Sequence, residues 1–335
     1  MKITLQELYQ SIDKNVSTVY VIPRIEIFSI HNPYLRLFYK EFLTTGTKSN
    51  IRVVSPHPLV PTFLFKRLFG EKSIVHYHWI QFYSIGGFFV LLGKMTCVLL
   101  YKTLGGKIIW SVHNKHLHSK KYLRLNTFFR KLMAKKADQL HVHCEEAARV
   151  MAPILKVPEE KFVIIEHPLY PVTTIDKKEA QIYCRNNLVQ ECDFTEPVFL
   201  MYGNIGEYKG ITEVISLFTE DTGQLIISGN CKEGEHQYLE RIKSGVAARK
   251  NIYLVNRFLS KEEEMYLFNA VDCVLFNFQD MLTSGSIMLA LSYKKEIIVP
   301  YIGCVKNISG PGINTFTTSD ELQVLIKTIA GKNKK

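Results

Sequence analysis

The sequence lacks several short motifs that mark familiar classes of site. No GxGxxG follows the first apolar segment, Val16–Pro23, so the usual dinucleotide-binding fingerprint is excluded. No HExxH and no CxxC pair occurs, and a zinc site needs closely spaced ligands, usually with a carboxylate or a cysteine among them, so we expect no bound metal. The first residues, Met1–Asp13, contain no long apolar core, and we therefore expect no signal peptide.

Acidic residues are missing from a long part of the first half. Between Lys72 and Ala137 there are 12 basic residues and no acidic ones. Residues 1–170 carry a surplus of 13 positive charges, whereas residues 171–335 carry a surplus of two negative ones. Such a field attracts an anionic partner: nucleic acid, anionic lipid or a phosphorylated substrate. Aromatic residues do not alternate with the basic ones in a stacking pattern, so we expect no nucleic-acid partner. A basic nucleic-acid-binding protein is the alternative interpretation of this charge.

The order of the predicted elements indicates the fold class. Short apolar strands alternate with amphipathic helices along all 335 residues, which is typical of an α/β protein with parallel sheets. The length suits two domains of about 150 residues each. We predict one domain over 1–170 and a second over 171–335, joined within the polar segment 168–195. Ligands of such domains bind at the carboxyl ends of the strands.

Three loops at predicted strand ends in the second half hold groups suited to a sugar nucleotide. They would supply positive charge for two phosphates, backbone amides at a helix N-terminus and an apolar wall for a base. The candidate donor-binding residues are Gly203, Asn204, Lys209, Arg257, Phe258, Thr283, Ser284, Gly285 and Ser286. Each loop has a simpler interpretation that stays open: an ordinary helix cap at Ser284, a helix start at Lys209 and a surface ion pair at Arg257.

His113 directly follows an apolar strand in the first half, and His76, His78 and His143 also lie near strand ends. A histidine there can bind a sugar hydroxyl or act as a base near neutral pH. A structural histidine, satisfied by the backbone, is the alternative.

Two apolar segments of the first half bear on membrane binding. Ile85–Leu104 is nearly long enough to span a bilayer, but Lys94 and three glycines weaken it, which favours a buried helix or one lying on a membrane. The helix predicted over Lys120–Lys136 has a basic stripe beside apolar residues. That stripe consists of Lys120, Arg124, Lys131 and Lys135. A solvated edge of a core helix and an anionic membrane surface both remain open.

Several ordered motifs resemble the GT-B glycosyltransferases. In the donor half of that class a loop ending in Lys-Gly, here Lys209-Gly210, faces the nucleotide diphosphate, and a later turn, here Ser284-Gly285-Ser286, holds phosphate. The first half resembles the acceptor half, through His113-Asn114 with His118 and through Ile165–Pro168. The resemblance covers about residues 16–300.

The residues around this turn differ from those of many retaining members of glycosyltransferase family 4. Those enzymes carry two glutamates seven residues apart around this turn, whereas the second position here is Ala290 and the first is not glutamate either, with Asp280 just upstream. The chain is closer to exopolysaccharide-type transferases, which have a Ser-Gly-rich turn without that pair. Retention or inversion of the anomeric centre stays open.

The resemblance implies an α/β protein of the GT-B type with two facing Rossmann-like domains and a last helix that packs back on the first. It implies a hexosyl-type, metal-independent glycosyltransferase without a cofactor, using a UDP- or GDP-linked sugar. Lys209 and His113 would be catalytic, and His78, Asn114 and His118 would bind a glycan or lipid-diphosphate acceptor. The enzyme would be cytoplasmic, at the inner face of the plasma membrane. A non-transferring epimerase or sugar-nucleotide-binding protein is the alternative.

Overall fold

The computed structural model describes residues 3–29, 32–44, 49–56, 61–115, 122–231 and 234–332. The chain divides into two compact units, Met1–Pro168 (unit 1) and Leu169–Lys335 (unit 2). Each unit contains a six-stranded sheet in which every pair of neighbouring strands is parallel. The predicted fold class, α/β with parallel sheets, is confirmed.

The sheet of unit 1 has the strand order β2-β1-β3-β4-β5-β6. Its strands are β1 (Thr18–Ile22), β2 (Arg52–Val54), β3 (Ser73–Tyr77), β4 (Lys107–Ser111), β5 (Gln139–Val142) and β6 (Phe162–Ile164). Its helices are α1 (Leu5–Ile12), α2 (Ile25–Phe28), α3 (Tyr34–Phe38), α4 (Lys40–Leu43), α5 (Thr62–Leu68), α6 (Ile85–Thr103), α7 (Leu123–Lys136) and α8 (Glu145–Leu155).

The sheet of unit 2 has the strand order β12-β11-β10-β7-β8-β9. Its strands are β7 (Val198–Tyr202), β8 (Gln224–Ser228), β9 (Ile252–Val255), β10 (Cys273–Leu275), β11 (Glu296–Pro300) and β12 (Ile313–Phe316). Its helices are α9 (Lys177–Asn187), α10 (Ile211–Leu217), α11 (His236–Ala247), α12 (Lys261–Ala270), α13 (Gly285–Ser292) and α14 (Ser319–Lys332).

The central strands form because most of their residues are apolar and are buried on both faces of the sheet. All five residues of β3 and of β8 are buried, as expected for parallel strands covered on both sides by helices. Helices then bury their apolar faces on the sheet; α14, for example, contributes Leu322, Ile326 and Ile329 to the core of unit 2. A return of that last helix to the first domain stays a prediction. Burial of such side chains stabilises each unit by roughly 2 kcal/mol per residue.

Two elements differ from the sequence-based expectation. The amphipathic pattern of Leu35–Leu43 predicts one helix, but the segment forms two short helices, α3 and α4, with a break at Tyr39, whose ring is fully buried. Strand β12 was not predicted, because Asn314 and Thr315 interrupt its apolar pattern and it follows a Gly-Pro-Gly turn. The start of the helix expected from Lys120 lies outside the described residues.

Candidate functional site

In unit 2, a lysine, a glycine and a serine meet at the carboxyl ends of two neighbouring strands. Gly203 follows β7 with a φ of 100°, a left-handed conformation that glycine adopts without strain. A Cβ atom placed on Gly203 would lie 2.9 Å from Lys209 Nζ and 3.9 Å from Ser286 Oγ. Because β7 pairs with β10, the loops after these strands converge. Three of the predicted donor-binding residues therefore lie together.

Lys209 is unusual in being a buried cation. Its side chain is 6% exposed, and its Nζ donates a hydrogen bond of 2.6 Å to the carbonyl of Tyr202. The ring of Phe278 lies 5.9 Å from Nζ and stacks on Tyr208. A lysine loses flexibility when it is held this way, and a charge with few water contacts acts more strongly on a nearby anion. Lys209 is thus a positioned positive charge.

The loop that carries Lys209 is fixed by a neighbour that sequence reasoning missed. Asn277, after β10, donates from its side-chain amide to the carbonyl of Gly210 at 3.0 Å. Gly210 has a φ of 56°, and a Cβ atom there would lie 2.8 Å from the backbone oxygen of Asn277, so only glycine fits. An Asn after a strand gives no signal of this contact, because 67 residues separate the partners.

Helix α13 begins beside this lysine. Ser284 is its N-cap, and the hydroxyls of Ser284 and Ser286 lie 3.0 Å apart. The first amides of an α-helix have no partner within the helix, and the dipole makes this end positive. Tyr170, a residue that the sequence did not single out, brings its hydroxyl to 2.9 Å from the position of a Cβ on Gly285. Residues 284–286 are small and half-buried, and any side chain at Gly285 would meet this hydroxyl.

The remaining donor-binding candidates are less closely associated with Lys209. Asn204 is exposed and Thr283 is half-buried. Arg257 forms a two-pronged ion pair with Glu263, at 3.0 and 2.6 Å, and this pair lowers the pKa of Glu263 to about 2. Phe258 is 73% exposed. The loop with Arg257 follows β9, which is two strands from β7, and the surface-pair interpretation of Arg257 describes the contact that the structure shows.

In unit 1, the predicted His76, His78, His113 and His143, together with His141, which the sequence did not single out, occupy one face of three neighbouring strands. Three pairs of residues, each two positions apart, lie at the ends of these strands: His76 and His78 at β3, Ser111 and His113 at β4, and His141 and His143 at β5. Residues two apart on a strand point to the same side, so the HxH spacing on β3 and β5 was the available signal. Burial lowers the pKa of these rings, for His141 to about 4.

His113 is the member of this cluster nearest to solvent. It is partly exposed, its Nε2 lies 2.9 Å from Nδ1 of His78, and the indole of Trp79 stacks on it at 4.4 Å. Trp79 has a φ of 36°, a strained conformation for a residue other than glycine. Burial and the nearby rings of His141 and His167 hold the pKa of His113 well below its usual value. His113 is therefore a neutral ring with restrained orientation.

The other acceptor-binding candidates differ from His113 in their burial and contacts. His78 is 1% exposed, so it cannot touch an acceptor directly and acts instead on His113. Asn114 offers its carbonyl to the guanidinium of Arg130, which also donates to Lys115 at 2.9 Å. Arg130 is a buried residue that the sequence did not single out, and burial lowers its pKa to about 10. His118 lies outside the described residues.

Three of the four residues proposed for a membrane surface lie on α7, which packs against α6. Arg124 and Lys135 are exposed and Lys131 is half-buried, while Lys120 lies outside the described residues. One helix of the described part, α6, is long and apolar enough to cross a membrane by length and composition. Only 22% of its most apolar window is buried. It is therefore not a typical core helix.

No group of three or more His, Cys, Asp or Glu residues in the described part of the chain has a geometry that could hold a metal ion. In particular, the ring nitrogens of the histidine cluster are directed at hydroxyls, carbonyls and each other.

Comparison with known proteins gives one short sequence match and extensive structural ones. No family model matches the chain. Small ribosomal subunit protein uS8 of Flavobacterium johnsoniae is 31% identical over 86 residues, which is 25% of this chain and 65% of that protein. The chain thus spans less than two thirds of that relative, and three quarters of its own length is unmatched. This similarity does not assign the chain to the ribosomal family.

Solved glycosyltransferase structures match nearly the whole chain. Anabaena HepE in complex with UDP has a TM-score of 0.64 at 13% identity, covering 95% of this chain and 91% of that one. A glycosyltransferase from Rickettsia africae has a TM-score of 0.62 at 15% identity, covering 94% and 88%. Sucrose-phosphate synthase of Thermosynechococcus elongatus has 0.63 at 12%, covering 96% and 91%. With its two parallel six-stranded sheets, the chain has the GT-B fold of these glycosyltransferases.

Proposed function

We propose that the chain is a glycosyltransferase that moves a sugar from a nucleotide-sugar donor to a membrane-linked glycan or lipid-diphosphate acceptor. The observation that supports this most directly is the buried Lys209 next to Ser286 at the start of α13. A fixed ammonium and free helix amides at one place suit the diphosphate of a sugar nucleotide. The similar HepE structures were solved with UDP and with UDP-glucose.

The chemistry follows from where charge develops. When the bond between sugar and diphosphate breaks, negative charge grows on the leaving phosphate oxygen. Lys209 and the amides of the 284–286 turn would stabilise that charge, and an interaction stronger in the transition state than in the ground state accelerates the reaction. No metal is needed if these groups neutralise the diphosphate. We propose that activity persists in a metal chelator.

Unit 1 would bind the acceptor. His113 is positioned there as a neutral ring that can exchange a hydrogen bond with a sugar or acceptor hydroxyl. The acceptor residues are then His113, Asn114 and His118, with His78 behind His113.

The proposed membrane partner would contact α6 and its neighbouring helices. Every exposed residue of α6 is uncharged, and most are large and apolar: Ile85, Gly86, Phe89, Val90, Leu92, Gly93, Thr96, Leu99, Leu100 and Thr103. Helices α5 and α7 pack against α6 and add exposed apolar side chains, among them Leu68 at 62% on α5 and Phe128 at 59% on α7. An apolar surface of this extent, in a stretch with 12 basic residues and no acidic one, suits an anionic lipid surface.

The opposite face of α6 decides between spanning and lying on the membrane. Leu91, Met95, Val98 and Tyr101 on that face are buried in unit 1. Spanning a bilayer would expose this face and give up its packing, so we propose that α6 lies in the interface. The enzyme would then be a peripheral protein at the cytoplasmic face of the membrane, where lipid-diphosphate acceptors are reached.

The experiment that tests the transferase is a thermal-shift screen against UDP- and GDP-linked sugars, followed by a product assay with the donor that binds. A ligand present at 100 times its Kd stabilises the folded protein by about 2.7 kcal/mol, which is readily measured. Hydrolysis or transfer of the bound donor would separate an enzyme from a binding protein on the same fold. Donor binding without either would contradict the proposal of an enzyme.

A further inference from the structure

Four histidines of unit 1 belong to a continuous hydrogen-bonded chain that begins at His113 and ends in the core. Its side chains are buried except at His113. The seven contacts join Tyr9 Oη to His76 Nδ1 (2.9 Å), Tyr39 Oη to His76 Nδ1 (2.8 Å), Tyr39 Oη to His78 Nε2 (2.9 Å), His78 Nδ1 to His113 Nε2 (2.9 Å), His76 Nε2 to Ser111 Oγ (2.8 Å), Ser111 Oγ to His141 Nδ1 (2.6 Å) and His141 Nε2 to the carbonyl of Ile165 (3.0 Å).

The inner end of this chain fixes the direction of several protons. A carbonyl oxygen only accepts, so His141 must carry its proton on Nε2 to donate to Ile165. Nδ1 of a neutral His141 is then bare and accepts from the hydroxyl of Ser111. Ser111 in turn accepts from Nε2–H of His76, which leaves Nδ1 of His76 bare. The rings are neutral because burial lowers their pKa values.

The outer end depends on the hydroxyl of Tyr39, which lies between His76 and His78. If Tyr39 donates to His76, it accepts from Nε2–H of His78, whose bare Nδ1 then accepts from Nε2–H of His113. If Tyr39 donates to His78 instead, Nδ1–H of His78 donates to His113, and His113 carries its proton on Nδ1.

A count of protons separates these two arrangements. Seven neutral groups each contribute one proton to the chain, for the seven contacts given above. The hydroxyls of Tyr9 and Tyr39 also interact with each other, and a Tyr39 that donates to Tyr9 still accepts from Nε2–H of His78, which gives the same tautomer of His113 as the first arrangement. The first arrangement puts a proton in every contact, with the hydroxyls of Tyr9 and Tyr39 sharing the lone pair of His76. The second leaves two lone pairs facing each other over the 2.8 Å between Tyr39 and His76. Buried polar atoms without a proton between them repel, so the first arrangement is favoured.

We propose that Tyr39, acting through His78, holds His113 in the tautomer that is protonated on Nε2, with Nδ1 left as a bare acceptor for a substrate hydroxyl. Tyr39 is then a positioning residue, 0% exposed and without contact to substrate. The tautomer is a property of unit 1 alone; only its use on a substrate hydroxyl rests on the proposed function. No described residue forms a hydrogen bond with Nδ1 of His113 in the structure.

Two buried tyrosines provide a matched pair of variants. Tyr9 and Tyr39 are both fully buried, and both hydroxyls lie within 2.9 Å of the same nitrogen of His76. Tyr9→Phe removes one of two donors to His76 and leaves the branch through His78 intact. Tyr39→Phe deprives Nε2–H of His78 of its acceptor. A buried N–H without a partner is costly, so His78 should move its proton to Nδ1 and reverse the tautomer of His113.

The measurement is two-bond ¹H–¹⁵N correlation NMR on protein labelled at histidine nitrogens, at neutral pH and without substrate. The signals of His113 are assigned by their loss in His113→Gln. We expect a protonated Nε2 and a bare Nδ1 in the wild type and in Tyr9→Phe, and the reverse in Tyr39→Phe. Wild-type protein protonated on Nδ1 of His113, or a Tyr39→Phe protein with unchanged His113 signals, would overturn the proposal.

Kinetics then test the use of this tautomer. In Tyr39→Phe, Nδ1 of His113 changes from an acceptor into a donor. The kcat/KM of this variant should therefore fall by at least about tenfold more than that of Tyr9→Phe, although both variants lose one buried hydroxyl. Equal losses would overturn the positioning role. A wild-type protein without transferase activity would contradict the proposed function instead, and the NMR result would still decide the tautomer.

Discussion

The ammonium group of Lys209 donates a hydrogen bond of 2.6 Å to the carbonyl of Tyr202, the last residue of β7. This contact holds a buried positive charge next to Gly203 and Ser286, where the loops after β7 and β10 meet. The cation is in place before any anion arrives, so a bound diphosphate would not have to order the side chain.

Gly203 should be required for this arrangement because of its left-handed backbone and because a side chain there would crowd Lys209. A Cβ atom in Gly203→Ala would lie 2.9 Å from Lys209 Nζ, and the left-handed backbone would be strained. We expect a loss of about 1–2 kcal/mol in the free energy of unfolding and a donor affinity at least about tenfold weaker. Urea unfolding and calorimetric titration with the donor would measure the two effects.

Gly234 supplies the control for backbone strain. It also has a positive φ, 87°, but a Cβ atom there would meet nothing within 4 Å. Gly234→Ala should lose stability to a similar extent and keep its affinity for the donor. Equal affinities of the two variants would show that the crowding of Lys209 does not matter for binding.

The buried histidines should make the fold sensitive to acid. Burial lowers the pKa of His141 and of His167 to about 4, and those of His76, His78 and His143 lie well below the usual value. Between about pH 6.5 and 4 the unfolded chain takes up protons that the folded chain does not. The free energy of unfolding should therefore fall with falling pH, by about 1.4 kcal/mol per pH unit for each histidine.

Urea unfolding at pH 7.5, 6 and 5 would measure this dependence. His141→Gln removes one titrating ring, so its stability should fall less steeply with decreasing pH than that of the wild type. A stability that does not change between pH 7.5 and 5 would show that these histidines are not held neutral.

The exposed face of α6 should bind anionic vesicles. Phe89 is 64% exposed, and Phe89→Asp places a negative charge on the apolar face without disturbing the buried one. We expect sedimentation with phosphatidylglycerol vesicles to be strongly reduced for this variant, and wild-type binding to weaken at high salt because basic side chains contribute about 1 kcal/mol each.

Val324 gives the matched control for that substitution. It is 61% exposed and also lies on a helix, α14, but in unit 2. Val324→Asp should sediment with vesicles as the wild type does. Wild-type protein that ignores anionic vesicles, or equal losses in both variants, would contradict a membrane role for α6.

Much of the fold was predictable because the strands are short, apolar and regularly spaced. The parallel strands from β1 to β11 stand out as apolar runs, and their ends place Lys209 and His113 at the edges where ligands bind. Helix α6 shows the limit of this approach. Its hydropathy is the same whether it is buried or exposed, and only the packing of α5 and α7 shows which face is left uncovered.

The contacts that give the sites their chemistry were not predictable. Tyr9 and His76 are 67 residues apart, and the break between α3 and α4 that directs Tyr39 inward depends on tertiary packing. Spacing made Arg257 a weaker candidate for a phosphate ligand than Lys209, with a surface ion pair as the alternative, but it did not identify the partner, Glu263, which binds the guanidinium from six residues later. Partners of that kind depend on side-chain geometry, which spacing alone does not determine.

The most direct test of the account is calorimetric titration of the wild type, Lys209→Ala and Lys243→Ala with the UDP- or GDP-sugar found in the thermal-shift screen. Lys243 is an exposed lysine of unit 2, paired with Glu240 at 2.8 Å, and serves as the control. We expect Lys209→Ala to bind the donor at least about tenfold more weakly and Lys243→Ala to match the wild type. Wild-type affinity in Lys209→Ala, with its fold intact by circular dichroism, would contradict the assignment of the donor site.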